Sequence, residues 1–205
     1  MGPGPGASVP SADPPTIDRD PYERVDTWTE TVFSAPYVTV RAHNAVYEDP
    51  EFRERVAPAV PAGLDKTPRA RFTTGLSFNR PPPGDRTPKR VLPIAGKYAR
   101  REFRKSLAED GLRNVREVGS QDLRLPGRRT AKAFGFDGAY PLAESGGGGT
   151  LPVRVWAAIW PTADSFAMAG GVYPLESLSL PKGEVEATPG GERREVFAAV
   201  RSAAD

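Results

Sequence analysis

The strongest pattern in the chain lies at residues 151–160, where almost every position is apolar. Val153, Val155, Ala157 and Ile159 fall on one side of an extended chain, and Trp156, Ala158 and Trp160 on the other. A strand that is apolar on both sides is covered on both faces, which places it centrally in a sheet. Pro161-Thr162-Ala163-Asp164 reads as a turn, and residues 165–173 as the returning strand of a hairpin. Gly170-Gly171 in that return predicts a bulge or a closely packed neighbour.

A helical period follows from Ala95, Ala99, Phe103 and Leu107, spaced by four, with Tyr98 on the same stripe. This predicts a helix over residues 94–110. Gly111 stands where a left-handed cap residue belongs, and Leu112 follows as its apolar contact. Residues 192–203 give a second helix with Val196, Phe197 and Val200 facing inward. Asp49-Pro50-Glu51 has the chemistry of a helix start, and Phe52 and Val56 would share one face of it before Pro58 and Pro61 end it.

Strand-like stretches fill the remainder. Trp28, Val32 and Phe33, then Tyr37, Val38, Val40 and Ala42, are broken at Ser34-Ala35-Pro36, which suggests two strands or one bent strand. Residues 71–78 alternate, with Phe72, Thr74, Leu76 and Phe78 on one side of a half-buried strand. Pro81-Pro82-Pro83-Gly84 stops it and opens an exposed basic loop through Arg90. Residues 114–121 and 123–125 are weakly patterned. Residues 129–136 set Ala131, Ala133 and Gly135 opposite Lys132, Phe134 and Phe136, and residues 145–149 read as a flexible loop. Adjacent strands with helices placed singly argue for an α+β fold, an antiparallel β-sheet flanked by helices. Residues 1–20 lack a periodic apolar face and read as a disordered Pro/Gly-rich tail, leaving residues 21–205 as a single α+β domain.

Composition narrows the chemistry. With 205 residues and no cysteine, the chain has no disulfide, thiolate zinc site, iron–sulfur cluster or thiol nucleophile. It has no apolar run near the roughly 18–20 residues that span a bilayer, and its start resembles no signal peptide, so a soluble cytoplasmic protein is expected. The net charge of +2 hides an asymmetry: residues 13–54 carry ten acidic against four basic side chains, whereas residues 86–132 carry fourteen basic against five acidic.

Catalytic readings find little to stand on. His43 is the one histidine, so every Ser–His–Asp triad or histidine base must use it, and its strand-like setting reads as structural. A histidine-centred metal site lacks a second imidazole or thiolate. Asp49 with Glu51 and Glu109 with Asp110 have simpler roles at helix ends, and Asp164 is an ordinary turn residue. Gly146 to Gly149 lacks the lysine and following helix of a phosphate loop. Gly190-Gly191 precedes a helix, where free N–H groups could hold an anion, though loop flexibility explains the pair. Catalytic, cofactor-binding and metal residues are therefore all assigned as none, and no cofactor is expected. The basic stretch has functional content: Arg100, Arg101, Arg104, Lys105, Arg128 and Arg129 are candidate anion-binding residues, beside Arg86, Lys89, Arg90, Lys97, Arg113 and Arg116.

The order of elements resembles the PsbP-like fold, an antiparallel sheet sandwiched by helices and used by soluble accessory and binding proteins. The segment Trp156-Ala157-Ala158-Ile159-Trp160, with Ser165-Phe166-Ala167-Met168-Ala169-Gly170-Gly171-Val172-Tyr173-Pro174 and a final short helix, is similar to uncharacterised haloarchaeal proteins. The resemblance implies a fold and carries over no catalytic residue. The leading expectation is a non-enzymatic soluble accessory or interaction domain with a protein partner. The alternative is nucleic-acid or polyanion binding through the basic surface between Arg86 and Lys132, and a hydrolase built on unrecognised carboxylates stands third.

Overall fold

A computed structural model describes residues 13–36, 38–64, 66–79, 88–180 and 183–205. Strands β1 (Glu23–Ala35), β2 (Val38–Glu48), β3 (Ala70–Phe78), β4 (Arg113–Arg124), β5 (Thr130–Pro141), β6 (Thr150–Pro161) and β7 (Phe166–Pro174) form one sheet. Its order is β1-β2-β3-β7-β6-β5-β4, and every neighbouring pair is antiparallel. The β6–β7 hairpin lies in the interior, as its two-sided apolar pattern requires. Helices α1 (Pro50–Val56), α2 (Pro88–Glu109) and α3 (Pro189–Ser202) complete the α+β fold, with a small hairpin of β8 (Leu178–Leu180) and β9 (Gly183–Val185) that sequence patterning missed.

Two apolar layers hold the helices to opposite faces. Val196, Phe197 and Val200 of α3 pack on Trp156, Ala158 and Trp160 of β6 and on Ala167 and Ala169 of β7. On the other face Leu92, Ala95, Ala99, Phe103 and Leu107 of α2 cover Phe134, Phe136, Val155, Ala157 and Ile159. Each large apolar side chain buried this way contributes about 1.5–3 kcal/mol. At α1, Asp49 Oδ1 accepts from the amides of Glu51 (3.0 Å) and Phe52 (3.2 Å), and Phe52 and Val56 are fully buried. At the end of α2, Leu112 N–H donates to Leu107 O (3.0 Å) and Gly111 N–H to Ala108 O (3.1 Å), with Gly111 at φ +94°. This is the expected left-handed closure.

Several local expectations are corrected. β3 is covered on both sides: Phe72 and Leu76 face α2, while Arg71 and Thr73, each 0% exposed, face the α3 side. The half-buried reading failed because a buried arginine looks like a solvent-facing one in sequence. α2 begins at Pro88, inside the stretch read as basic loop; Pro88 suits a first helical position. Residues 80–87 lie outside the described residues. Tyr98 leaves the apolar stripe and is 38% exposed, stacking edge-on against Phe33. The 145–149 loop is docked: Ala143 N–H donates to Ala59 O (2.9 Å), Ser145 Oγ to Pro58 O (2.6 Å), and Gly146 is buried against Ala59. Within the stretch read as tail, Ile17 is buried beside Ala45, Tyr47 and Ala199, because the flank of α3 leaves an apolar slot over β2.

Gly170-Gly171 sits in unbroken register, so close packing and not a bulge explains it. A Cβ on Gly170 would lie 2.1 Å from Trp156 O, and one on Gly171 2.6 Å from Arg71 Cδ. Bulges occur instead on the edge strands, two in β1 and two in β4. Bulged edges resist pairing with another chain.

Candidate anion-binding surface

Helix α2 uses its inner side for the core and presents two rows of cations outward. Lys97, Arg101 and Lys105 share one row, and Arg100 and Arg104 a second; each step of four residues rises about 6 Å. Their counterions are local and exposed. Arg100 Nη1 lies 3.1 Å from Glu117 Oε1, Arg101 Nη2 3.0 Å from Glu102 Oε1, and Lys105 Nζ 3.4 Å from Glu109 Oε1. Arg101 also stacks over the Tyr98 ring at 5.1 Å. Exposed pairs of this kind are worth about 0–1 kcal/mol, so an incoming anion can exchange with them.

The six candidate cations divide into two groups. Arg100, Arg101, Arg104 and Lys105 sit on α2, whereas Arg128 and Arg129 occupy the β4–β5 turn. Arg129 is fastened towards the other layer, donating to Pro126 O (3.2 Å) and to Ala204 O just past the end of α3. Its guanidinium closes a turn and a helix end. Arg86 lies outside the described residues, and Lys89 and Arg90 belong to the first turn of α2.

Between α2 and the β4–β5 edge runs a groove of about 390 Å³. Pro93, Gly96, Lys97 and Arg100 form its helical wall; Ser120, Gln121, Asp122, Lys132 and Phe134 form the strand wall. Lys132 Nζ and Asp122 Oδ1 meet across the paired strands at 2.6 Å. Ser120 and Asp122 carried no signal in the sequence, because an edge strand of mixed polarity has no period that marks one side.

A second charged cluster, also missed, is buried. Arg71 Nη2 lies 3.0 Å from Glu192 Oε2, its Nη1 donates to Ala70 O (3.2 Å) and Val172 O (3.3 Å), and its guanidinium stacks 4.6 Å over the Tyr22 ring. Arg69 Nε approaches Glu192 Oε1 at 2.9 Å in an alignment too poor for a hydrogen bond, so that contact is coulombic. Arg69 also reaches Asp49 Oδ2 at 3.8 Å, joining the α1 cap to the start of α3. Glu192 is thus engaged in the first turn of α3, and Gly190-Gly191 lie inside that helix instead of before it.

His43 and Asp137 both have structural partners. His43 lies between Thr29 Oγ1 (3.1 Å from Nδ1) and Ser77 Oγ (3.0 Å from Nε2), a cross-strand ladder on the sheet. Asp137 receives Arg154 at 2.6 and 3.0 Å and Arg116 at 3.5 Å. Among the described residues no three His, Cys, Asp or Glu side chains gather closely enough to hold a metal ion, and no helix is long and apolar enough to cross a membrane.

Burial pushes the phenols of Tyr22, Tyr140 and Tyr173 above their usual value of 10.0. The Arg71 and Arg69 charges oppose this at Tyr22, and the Glu48 carboxylate adds to it at Tyr140. Tyr140 also donates its proton to Lys66 O at 2.8 Å, a bond that needs the neutral phenol. The unfolded chain therefore loses these protons first. Stability is unaffected by them below about pH 9 and falls above pH 10, by up to about 1.4 kcal/mol per pH unit for each tyrosine. Urea unfolding at pH 9, 10 and 11 is expected to show this alkaline limb, and Tyr140→Phe to flatten it. An unchanged limb in that variant would exclude Tyr140 as a source.

No curated protein and no solved structure matches the chain. A family model described as "Domain of unknown function (DUF6517)" matches residues 9–204, nearly the whole sequence, and the chain belongs to that family.

Proposed function

We propose that the protein is a non-enzymatic accessory or interaction domain whose partner docks on the outward surface of α2. The supporting observation is the double row of cations on a helix whose other side is consumed by the core, with Arg100, Arg101 and Lys105 paired to exposed carboxylates. An acidic protein surface fits this best. Carboxylates of a partner would replace Glu102, Glu109 and Glu117 like for like, with little desolvation on either side. The same proposal carries the resemblance to PsbP-like accessory proteins, a haloarchaeal source and a cytoplasmic setting.

The second reading, binding of nucleic acid or another polyanion, is favoured by the regular 6 Å steps of the rows, which suit a linear array of phosphates. Arg101→Ala/Arg104→Ala/Lys105→Ala tests both. The triple variant is expected to keep its circular dichroism and lose the protein partner captured by wild type at native salt. If the ligand is a phosphate polymer, the variant instead elutes from heparin at lower salt, with the log–log salt slope reduced by about 2–3. Wild-type flow-through on heparin at low ionic strength, together with no specific protein captured, would sink the proposal.

A further inference from the structure

We infer that the groove between α2 and the β4–β5 edge is a separate site for a small phosphorylated polyol, of the sugar-phosphate class. It shares Lys97 and Arg100 with the cation rows and adds groups that the rows lack. Lys97, Arg100 and Lys132 supply positive charge, yet Asp122 stands in the same wall, 2.6 Å from Lys132, and Ser120 adds a hydroxyl. A carboxylate there repels a bare phosphate polymer. It suits a ligand that brings hydroxyl donors next to one anionic group: the hydroxyls meet Asp122 and Ser120, and the phosphate meets the cations. The volume of about 390 Å³ is in the range of small-ligand sites and accommodates a pentose or hexose phosphate.

The helix departs from local rules where it borders this groove. Pro93 lies inside α2 and removes a backbone donor, and Gly96 follows within one turn. Packing does not demand the glycine. A Cβ there would find only ordinary contacts, 3.7 Å from the Lys132 stem and 3.8 Å from Ile159. Gly96 thus has no packing reason, and on the helical wall of the groove its missing side chain leaves room beside the Lys132 stem.

The site deepens the binding proposal but stands apart from it experimentally. Isothermal titration of the full chain with ribose 5-phosphate, inorganic phosphate and ribose should show ribose 5-phosphate at least tenfold tighter than inorganic phosphate, and no response to ribose. Ser120→Phe, which fills the groove from an exposed edge-strand position without changing charge, should weaken ribose 5-phosphate tenfold or more and leave heparin retention unaltered. Lys132→Met, which keeps the stem and removes the ammonium, should weaken it similarly. The Arg101→Ala/Arg104→Ala/Lys105→Ala variant should bind ribose 5-phosphate as wild type does. Equal affinity for ribose 5-phosphate and inorganic phosphate, no binding of either, or wild-type affinity in Ser120→Phe would overturn the assignment whatever the heparin result.

Discussion

Glu192→Ala is expected to lower the unfolding free energy by about 3–5 kcal/mol, among the largest effects of any single substitution in the chain. Arg71 is 0% exposed, and Glu192 is its only carboxylate partner within 4 Å among the described residues. Truncating Glu192 leaves a guanidinium sealed between β3, β7 and the Tyr22 ring, with two backbone carbonyls as its remaining oxygen partners. The same change frees Arg69 and releases the tie between α3 and the α1 cap. Taking charge and partner out together behaves differently. Arg71→Met/Glu192→Leu removes both ions and keeps the volume, so it should recover most of the loss. Urea midpoints of wild type, single and double variants provide the measurement. A double variant as unstable as Glu192→Ala would show that the cost lies in packing and not in the orphaned charge.

The legibility of this molecule in its sequence follows from which faces are apolar. Residues 151–160 declared an interior strand because both sides had to be covered, and the fold places β6 there. The α2 stripe, the Gly111 closure and the Asp49 cap were equally plain, since each is set by spacing along a single element. What stayed hidden depends on partners distant in the chain. Arg71 reads as a surface residue until Glu192, 121 positions later, is known to lie over it. Tyr98 reads as core until its position on α2 is seen to face Phe33 at the sheet edge. The candidate surface was legible only in part. Charge asymmetry pointed to α2, but nothing in the order of residues separated Arg100, Arg101, Arg104 and Lys105 from Arg129, whose guanidinium is engaged at the end of α3. The groove was invisible because its strand wall, Ser120, Asp122 and Lys132, is assembled only by the β4–β5 register.

Trp156→Ala carries a comparable expected loss, about 3–5 kcal/mol, and its origin can be isolated. Gly119, Gly135, Trp156, Gly171, Arg71 and Tyr47 pair in sequence across six strands, forming one row on the α3 side of the sheet. From Gly135 to Arg71 glycine alternates with large side chains, because the Trp156 ring lies over Gly135 and the Arg71 stem over Gly171. A Cβ on Gly135 would come within 2.9 Å of the Trp156 ring, and one on Gly171 within 2.6 Å of the Arg71 stem. Phe197 packs edge-on against the Trp156 ring at 5.3 Å, and Arg193 stacks over it at 4.9 Å, so the ring has no room to lift. Gly135→Ala alone should therefore cost about 1–3 kcal/mol through overpacking. In the Trp156→Ala background the same methyl enters the space the indole vacates, and its cost should vanish or turn into a gain. Residues in contact show such coupling, typically about 0.5–3 kcal/mol. Four unfolding curves, for wild type, both single variants and the double variant, measure it directly. Additive losses would mean that Gly135 is required by its backbone and not by the ring above it, and the glycine row would lose its explanation.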